Sequence, residues 1–286
     1  MKSLRQVLAE AQKNNEVIWH FNVGSYEQLE AIARVSQKRN IPFIIGVSEG
    51  ERDAWGISQI VYLIRGYRNR GVALYLNADH THSFEKIQEA VVAGFDAVLF
   101  DAGKKDLTEN IFETKKIVEW VKEYNTIHGS DVLVEGELGY IGSSSVMLES
   151  LPSDMSALTS IADAKMFCEQ TGVDLYAPAV GNIHGILKNG TNPLLDIQRI
   201  NELTKTISVP MVLHGGSGTP NIKEAIQAGI CVVHISTELR IAWRKGFESA
   251  FTQYPDEVVP YHIIPSVIQT IEHAIEEKID MVYTKQ

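Results

Sequence analysis

Eight times along this chain a short apolar run rich in strand-forming residues is followed by a helix-length amphipathic segment, the pattern of a parallel sheet wrapped by helices. The strands are expected at Val17–Val23, Pro42–Ser48, Ala73–Asp79, Ala97–Ala102, Val132–Leu138, Leu175–Gly181, Val209–His214 and Cys231–Ser236. The helices between and after them are expected at Ser25–Arg39, Trp55–Arg70, Ser83–Ala93, Leu107–His128, Ser160–Thr171, Pro193–Thr206, Pro220–Ala228 and Thr237–Tyr254. Several begin at Ser, Thr or Pro and end near Gly, as helix caps prefer. Eight strands close a barrel, so the expectation is an α/β fold, a (β/α)8 barrel. A further helix over Ser266–Lys278 follows as a C-terminal extension. At 286 residues and 44% hydrophobic content one large core can be filled, and no linker or low-complexity segment divides the chain, so residues 1–286 are read as one domain.

The formal net charge of −10, with no run of Lys or Arg, disfavours nucleic acid and anionic membrane as partners. An anionic substrate must therefore be caught by local groups. No apolar stretch of eighteen residues occurs and the first residues form no signal-type apolar core, so a cytoplasmic protein is expected. Cys168 and Cys231 lack metal-type spacing and read as buried free thiols.

The functional residues gather at one end of the expected barrel. His80 follows the third strand, His184 the sixth, and His214 ends the seventh. All three fall at the carboxyl rim, where active sites of parallel barrels form, and three imidazoles with an open fourth position suit a catalytic zinc. Glu135 and Glu137 are two apart on the fifth strand and face the same way, a repulsion that a cation would relieve. Asp101 closes the fourth strand, where it either joins Glu137 around a second ion or caps the next helix. Glycines surround the last strands in Gly181-Asn182-Ile183-His184-Gly185 and His214-Gly215-Gly216-Ser217-Gly218, next to the hydroxyls of Ser217, Ser236 and Thr237. Backbone N–H groups at this part of a barrel rim bind phosphate. Lys188 either reaches a phosphate or is an exposed loop lysine. The stretch between Gly139 and Thr159 is long for a βα connection and rich in Gly and Ser, as lids are.

Taken together these segments resemble the class II, metal-dependent fructose-bisphosphate and tagatose-bisphosphate aldolases. The resemblance is carried by Phe21-Asn22, Gly46-Val47-Ser48-Glu49-Gly50, Asp79-His80, Glu135-Gly136-Glu137-Leu138-Gly139, the two glycine-rich segments above, and Thr237-Glu238, in family order over about residues 1 to 245. It implies Zn²⁺ on His80, His184 and His214, a second metal position at Asp101 and Glu137, and Asp79 as the group that exchanges a proton with the aldehyde-derived hydroxyl. It further implies Asn22 among the substrate-binding positions and Ser48 against the aldehyde half. The dihydroxyacetone phosphate half would lie against Gly185, Gly215, Gly216, Ser217, His234, Ser236 and Thr237, with a monovalent cation near the phosphate. The partner it implies is a small sugar bisphosphate, and the assembly a homodimer or homotetramer.

The chain departs from the family pattern at two places. His234 stands where the pattern has Asn, and Ser143-Ser144-Ser145 stand where the lid carries an acidic pair. Glu149, four residues beyond, is the nearest acid, and either it exchanges the C1 proton of dihydroxyacetone phosphate or it is a solvated lid residue. The expected function is reversible, zinc-dependent cleavage of fructose or tagatose 1,6-bisphosphate to dihydroxyacetone phosphate and glyceraldehyde 3-phosphate. Its alternatives are the same chemistry with another aldehyde, or a metal-binding barrel without catalysis. A Schiff-base mechanism would need a lysine at a strand end, and none of the expected strands carries one.

Overall fold

The computed structural model describes residues 1–142, 145–153 and 157–283. Eight strands close a parallel barrel: β1 (Ile18–Asn22), β2 (Phe43–Val47), β3 (Leu74–Thr81), β4 (Ala97–Phe100), β5 (Leu133–Leu138), β7 (Leu175–Pro178), β9 (Met211–Leu213) and β10 (Ile230–Ile235). Around it run α2 (Tyr26–Arg39), α4 (Ile57–Asn69), α5 (Phe84–Ala93), α6 (Leu107–His128), α7 (Ile161–Thr171), α8 (Ile197–Thr206), α9 (Ile222–Gln227) and α10 (Thr237–Gln253). Ring closure is made by β1 against β10, with Ile18 opposite Val232 and His20 opposite His234. The expected α/β barrel is thus the observed one, and the C-terminal extension is α11 (Pro260–Tyr283), packed on α10 and α2.

Two helices were not expected. α1 (Leu4–Asn14) precedes the barrel, opened by a capping box between Ser3 and Gln6. Its Leu4, Val7, Leu8 and Ala11 form one cluster with Ile18, Ile44, Tyr75, Leu133, Leu175 and Val232 of the strands, so α1 closes the amino end of the barrel. α3 (Glu49–Trp55) is a short helix after β2, separated from α4 by Gly56, whose φ of 84° breaks what was expected as the start of one helix at Trp55. A two-stranded parallel pair, β6 (Met147–Leu148) with β8 (Ile186–Leu187), lies outside the barrel.

Alternation along the strands sets the character of the interior. β1 runs Ile18, His20, Asn22 along one face, β3 Tyr75, Asn77, Asp79, and β5 Leu133, Glu135, Glu137. In each the residue nearest α1 is apolar and the two toward the carboxyl end are polar, and all are buried. The outward faces pack against the helices in a larger apolar cluster that includes Trp19, Phe21, Phe43, Val134 and Phe167.

Candidate active site

A cavity of about 320 Å³ opens at the carboxyl ends of the strands, lined by Asn22, Ser48, Asp79, His80, Asp101, His184, Ser236 and Arg240 among others. A narrower recess continues from it past Asp79, His80 and His184 to Gly185, Gly215, Ser217, His234 and Thr237. Asp79 and His80 are consecutive yet both line the cavity, because β3 is irregular at its end. Its register against β4 slips between Ala78 and Thr81, and His80 has φ 37°, a left-handed backbone rare for a residue with a Cβ.

His80, His184 and His214 each bring a ring nitrogen within 4.8 Å of the others, and a nitrogen of His80 lies equally close to carboxylate oxygens of Asp101 and Glu137. The environment of the three imidazoles fits a metal. Among the described residues Nε2 of His184 is buried without a partner, an uncommon state for a polar atom unless a ligand completes it. A carboxylate stands behind the His80 ring, the way ligating imidazoles are oriented, while His214 has a carboxylate at each ring nitrogen, one of which must yield to a metal. Asp101 Oδ2 is 2.8 Å from His80 Nδ1, and Glu137 Oε2 is 3.1 Å from His214 Nδ1. Asp101 does not cap α6; that place belongs to Asp106.

Glu135 and Glu137 do face the same way, and both are buried. The cation between them is the His214 imidazole, which also meets Glu135 Oε1 at 2.6 Å through Nε2. Burial would lower the pKa of His214, but Glu135 and Glu137 raise it well above its ordinary value. His80 behaves alike: burial opposes charge, yet Asp79, Asp101 and Glu137 lift it to about 9. In His184 burial and the neighbouring His80 and His214 act together and lower it to about 3, so the ring stays neutral and keeps one nitrogen lone pair for a metal. Burial would raise Asp79, but His80, His20 and His214, with the 2.7 Å hydrogen bond from Asn22 Nδ2, hold it well below the carboxylate range.

The glycine-rich turns form a cradle in the recess. Gly215 has φ 64°, and a Cβ there would stand 2.1 Å from the Ile183 carbonyl oxygen, so no other residue lets the two rim turns approach this closely. Among the described residues Ser236 Oγ and Thr237 Oγ1 are buried without partners beside it. Ser217 Oγ accepts from the Ser236 and Glu238 N–H groups.

Three expected positions are placed elsewhere. The Gly216 N–H donates to the His234 carbonyl oxygen at 3.0 Å and so is committed to the fold rather than to a ligand. Lys188 and Glu149 form an ion pair with each other beside β6 and β8, both substantially exposed and neither among the described residues lining the cavity. The pairing of β6 with β8 carries them there, outside the cavity as it stands. Ser143 and Ser144 of the lid lie outside the described residues; Ser145 lines the cavity, with Oγ 3.5 Å from His184 Nδ1.

Two cavity neighbours escaped the sequence reading. His20 stacks on His234, ring centroids 3.4 Å apart and planes 3° from parallel. The ring lies over Gly46, where a Cβ would fall 2.0 Å from His20 Cε1. The signal for His20 was its place two residues before Asn22 on the same strand face. Arg240 donates to Ser145 O at 2.9 Å and Glu51 Oε1 at 2.8 Å, while Glu51 also accepts from Ser48 N and Oγ. Glu51 thereby ties the guanidinium to the Ser48 side of the cavity.

A model of the family described as fructose-bisphosphate aldolase class-II matches residues 2–286. The chain belongs to that family. The fructose-bisphosphate aldolase of Staphylococcus aureus strain Mu50 is 31% identical over 283 residues, covering 97% of this chain and 95% of the relative. That of Geobacillus stearothermophilus is 30% identical over 268 residues, covering 92% and 90%. Among solved structures the YdjI aldolase of Escherichia coli K12 superposes with a TM-score of 0.80 at 26% identity, over 99% of this chain and 97% of that one. The fructose-bisphosphate aldolase of Campylobacter jejuni shares the fold at a TM-score of 0.77 and 19% identity, over 98% and 93%. As a class II aldolase the chain is an aldehyde-lyase.

Proposed function

We propose that this aldolase reversibly cleaves fructose or tagatose 1,6-bisphosphate to dihydroxyacetone phosphate and glyceraldehyde 3-phosphate, with Zn²⁺ held by His80, His184 and His214. The observation that carries the reading is the order of groups along one cavity. The orphaned hydroxyls of Ser236 and Thr237 lie at the inner end, with the imidazole trio and Asp79 next to them, and Ser48 with Arg240 at the outer end. A ketose with a phosphate at each end meets a hydroxyl and backbone cradle at one and a guanidinium at the other. Among the described residues no lysine is buried, in keeping with metal rather than Schiff-base chemistry.

When bound, Zn²⁺ supplies a Lewis acid that lowers the energy of negative charge developing on substrate oxygens. Asp79, held ionised and oriented by Asn22, accepts the proton of the C4 hydroxyl. The C3–C4 bond then breaks, its electron pair passes toward the C2 carbonyl, and the aldehyde leaves. A proton taken up from solvent at C3, the carbon that becomes C1 of the triose, completes dihydroxyacetone phosphate. In condensation Asp79 returns its proton to the new hydroxyl. The rest of the cavity binds and orients: Gly185, Gly215 and Ser217 with the two free hydroxyls take the inner phosphate, and Ser48 faces the aldehyde half. The reading places the chain in the cytoplasm, in keeping with the free thiols of Cys168 and Cys231. It also makes the chain a homo-oligomer, for which exposed Phe251, Val258 and Tyr261 offer apolar surface.

The test is release of dihydroxyacetone phosphate from fructose 1,6-bisphosphate, tagatose 1,6-bisphosphate and fructose 1-phosphate by the wild type and by Arg240→Gln. At least one bisphosphate should be cleaved with kcat/KM tenfold or more above the monophosphate, and Arg240→Gln should erase most of that margin, about 1.4 kcal/mol per factor of ten. Cleavage of none of the three would overturn the reading. Equal kcat/KM for mono- and bisphosphates would overturn its bisphosphate half.

A further inference from the structure

Arg52 of α3 is 4% exposed and, among the described residues, carboxylates act on it only at a distance, with none hydrogen-bonded to it. Buried arginines are nearly always matched by an acid, since an unpaired charge out of water is costly. Its guanidinium instead donates to three oxygens around the carboxyl ends of two strands: Nη1 to Val47 O at 2.5 Å and to Asp79 O at 3.3 Å, and Nη2 to Thr81 Oγ1 at 2.9 Å. Thr81 Oγ1 in turn donates to Ala78 O at 3.1 Å. These bonds bracket the four residues over which β3 loses register with β4 and His80 takes its left-handed φ of 37°. A β-bulge leaves backbone carbonyls without ladder partners, and a strained φ persists only where surroundings hold it.

We propose that Arg52 is a positioning residue for the aldol reaction: it fastens the irregular end of β3 to β2, so that Asp79 and His80 face the cavity together. A planar five-donor fork reaches three acceptors that a single ammonium cannot. α3 supplies it from one turn beyond Ser48, which lines the same cavity, so the strap and the substrate-facing serine share one element. Losing the fork leaves the Asp79 carbonyl and Thr81 free to relax toward regular strand geometry, in which Asp79 and His80 point to opposite faces. The inference rests on the reading of His80 as a metal donor and Asp79 as the proton acceptor.

The experiment compares the wild type with Arg52→Met, Arg52→Lys and Thr81→Val. Zn²⁺ affinity is measured by competition with a chromophoric chelator, unfolding temperature on the metal-free chain, and kcat and KM on the loaded enzyme. Arg52→Met should weaken Zn²⁺ binding by about 10- to 100-fold, the scale seen when groups that orient metal ligands are removed. Its kcat should fall by at least tenfold while KM stays within about threefold. Arg52→Lys should lie between it and the wild type. Thr81→Val should shift Zn²⁺ affinity in the same direction with Arg52 intact, which keeps the test decisive if Arg52→Met does not fold. Zn²⁺ affinity and kcat within threefold of wild type in Arg52→Lys and Thr81→Val, with only the unfolding temperature lowered, would overturn the inference and leave Arg52 a packing residue. A wild-type chain that does not bind Zn²⁺ would overturn the metal reading, and this inference with it.

Discussion

Asp79 and His80 show how sequence and structure divide the information at the scale of single residues. Their adjacency at a strand end marked both as rim groups, and the spacing of the other histidines marked a donor set. Strict alternation would have put them on opposite faces, and only the slipped register and the left-handed His80 reconcile them. Those depend on partners such as Arg52, distant in sequence and without a motif of their own. His214 was read as a ligand from its place after β9, but its position between Glu135 and Glu137 depends on how strands pair across the barrel. Asp79→Ala should slow cleavage by about 10²–10⁴, the contribution of a positioned acid–base group, with Zn²⁺ content and folding near normal. Steady-state kinetics with metal analysis checks this, and a mutant within about threefold of wild type would remove Asp79 from the reaction.

At the scale of elements the eight strands were legible because each is a buried apolar run bounded by turn residues, and tertiary packing agrees with that local pattern. What escaped was short or outside the repeat. α1 carries apolar Leu4, Val7, Leu8 and Ala11 at helical spacing behind a Ser3–Gln6 box, but it precedes the first strand and so stands outside the βα repeat. α3 has seven residues, mostly polar, and β6 and β8 have two each, below the length at which periodicity can speak. The β6–β8 pair matters for the site, since it takes Lys188 and Glu149 out of the cavity. α1 is assigned a purely structural task. Leu8→Ala, removing a side chain 2% exposed against the barrel floor, should therefore cost about 2–5 kcal/mol in denaturant unfolding and leave kcat unchanged. A loss of kcat at unchanged stability would contradict that assignment.

For the whole molecule, a net charge of −10 coexists with a cavity crowded by imidazoles, and the barrel resolves the contrast by burying acids and histidines together. This gives the metal-free chain a distinctive pH dependence. His80, raised from an ordinary 6.5 to about 9, adds stability that is complete below about pH 6.5 and is lost as pH rises through about 9. His20 and His184, lowered by burial to about 4 and about 3, stay neutral in the folded chain, so acid below about pH 6.5 favours the unfolded state that takes up their protons. The unfolding temperature of the metal-free chain should accordingly peak near pH 6.5 and fall toward pH 9. A steady rise across that interval would show that His80 does not carry the assigned charge.

The central claim is that three histidines at the carboxyl rim make this barrel a metal-dependent aldolase. It is tested most directly by stripping the chain with chelator, verifying by elemental analysis that it is metal-free, and following cleavage of the preferred ketose bisphosphate as Zn²⁺ is returned. The account predicts no cleavage at the start and a linear rise that saturates at about one Zn²⁺ per chain, with His184→Ala flat throughout at ordinary Zn²⁺ concentrations. Full activity in the verified metal-free chain would contradict it.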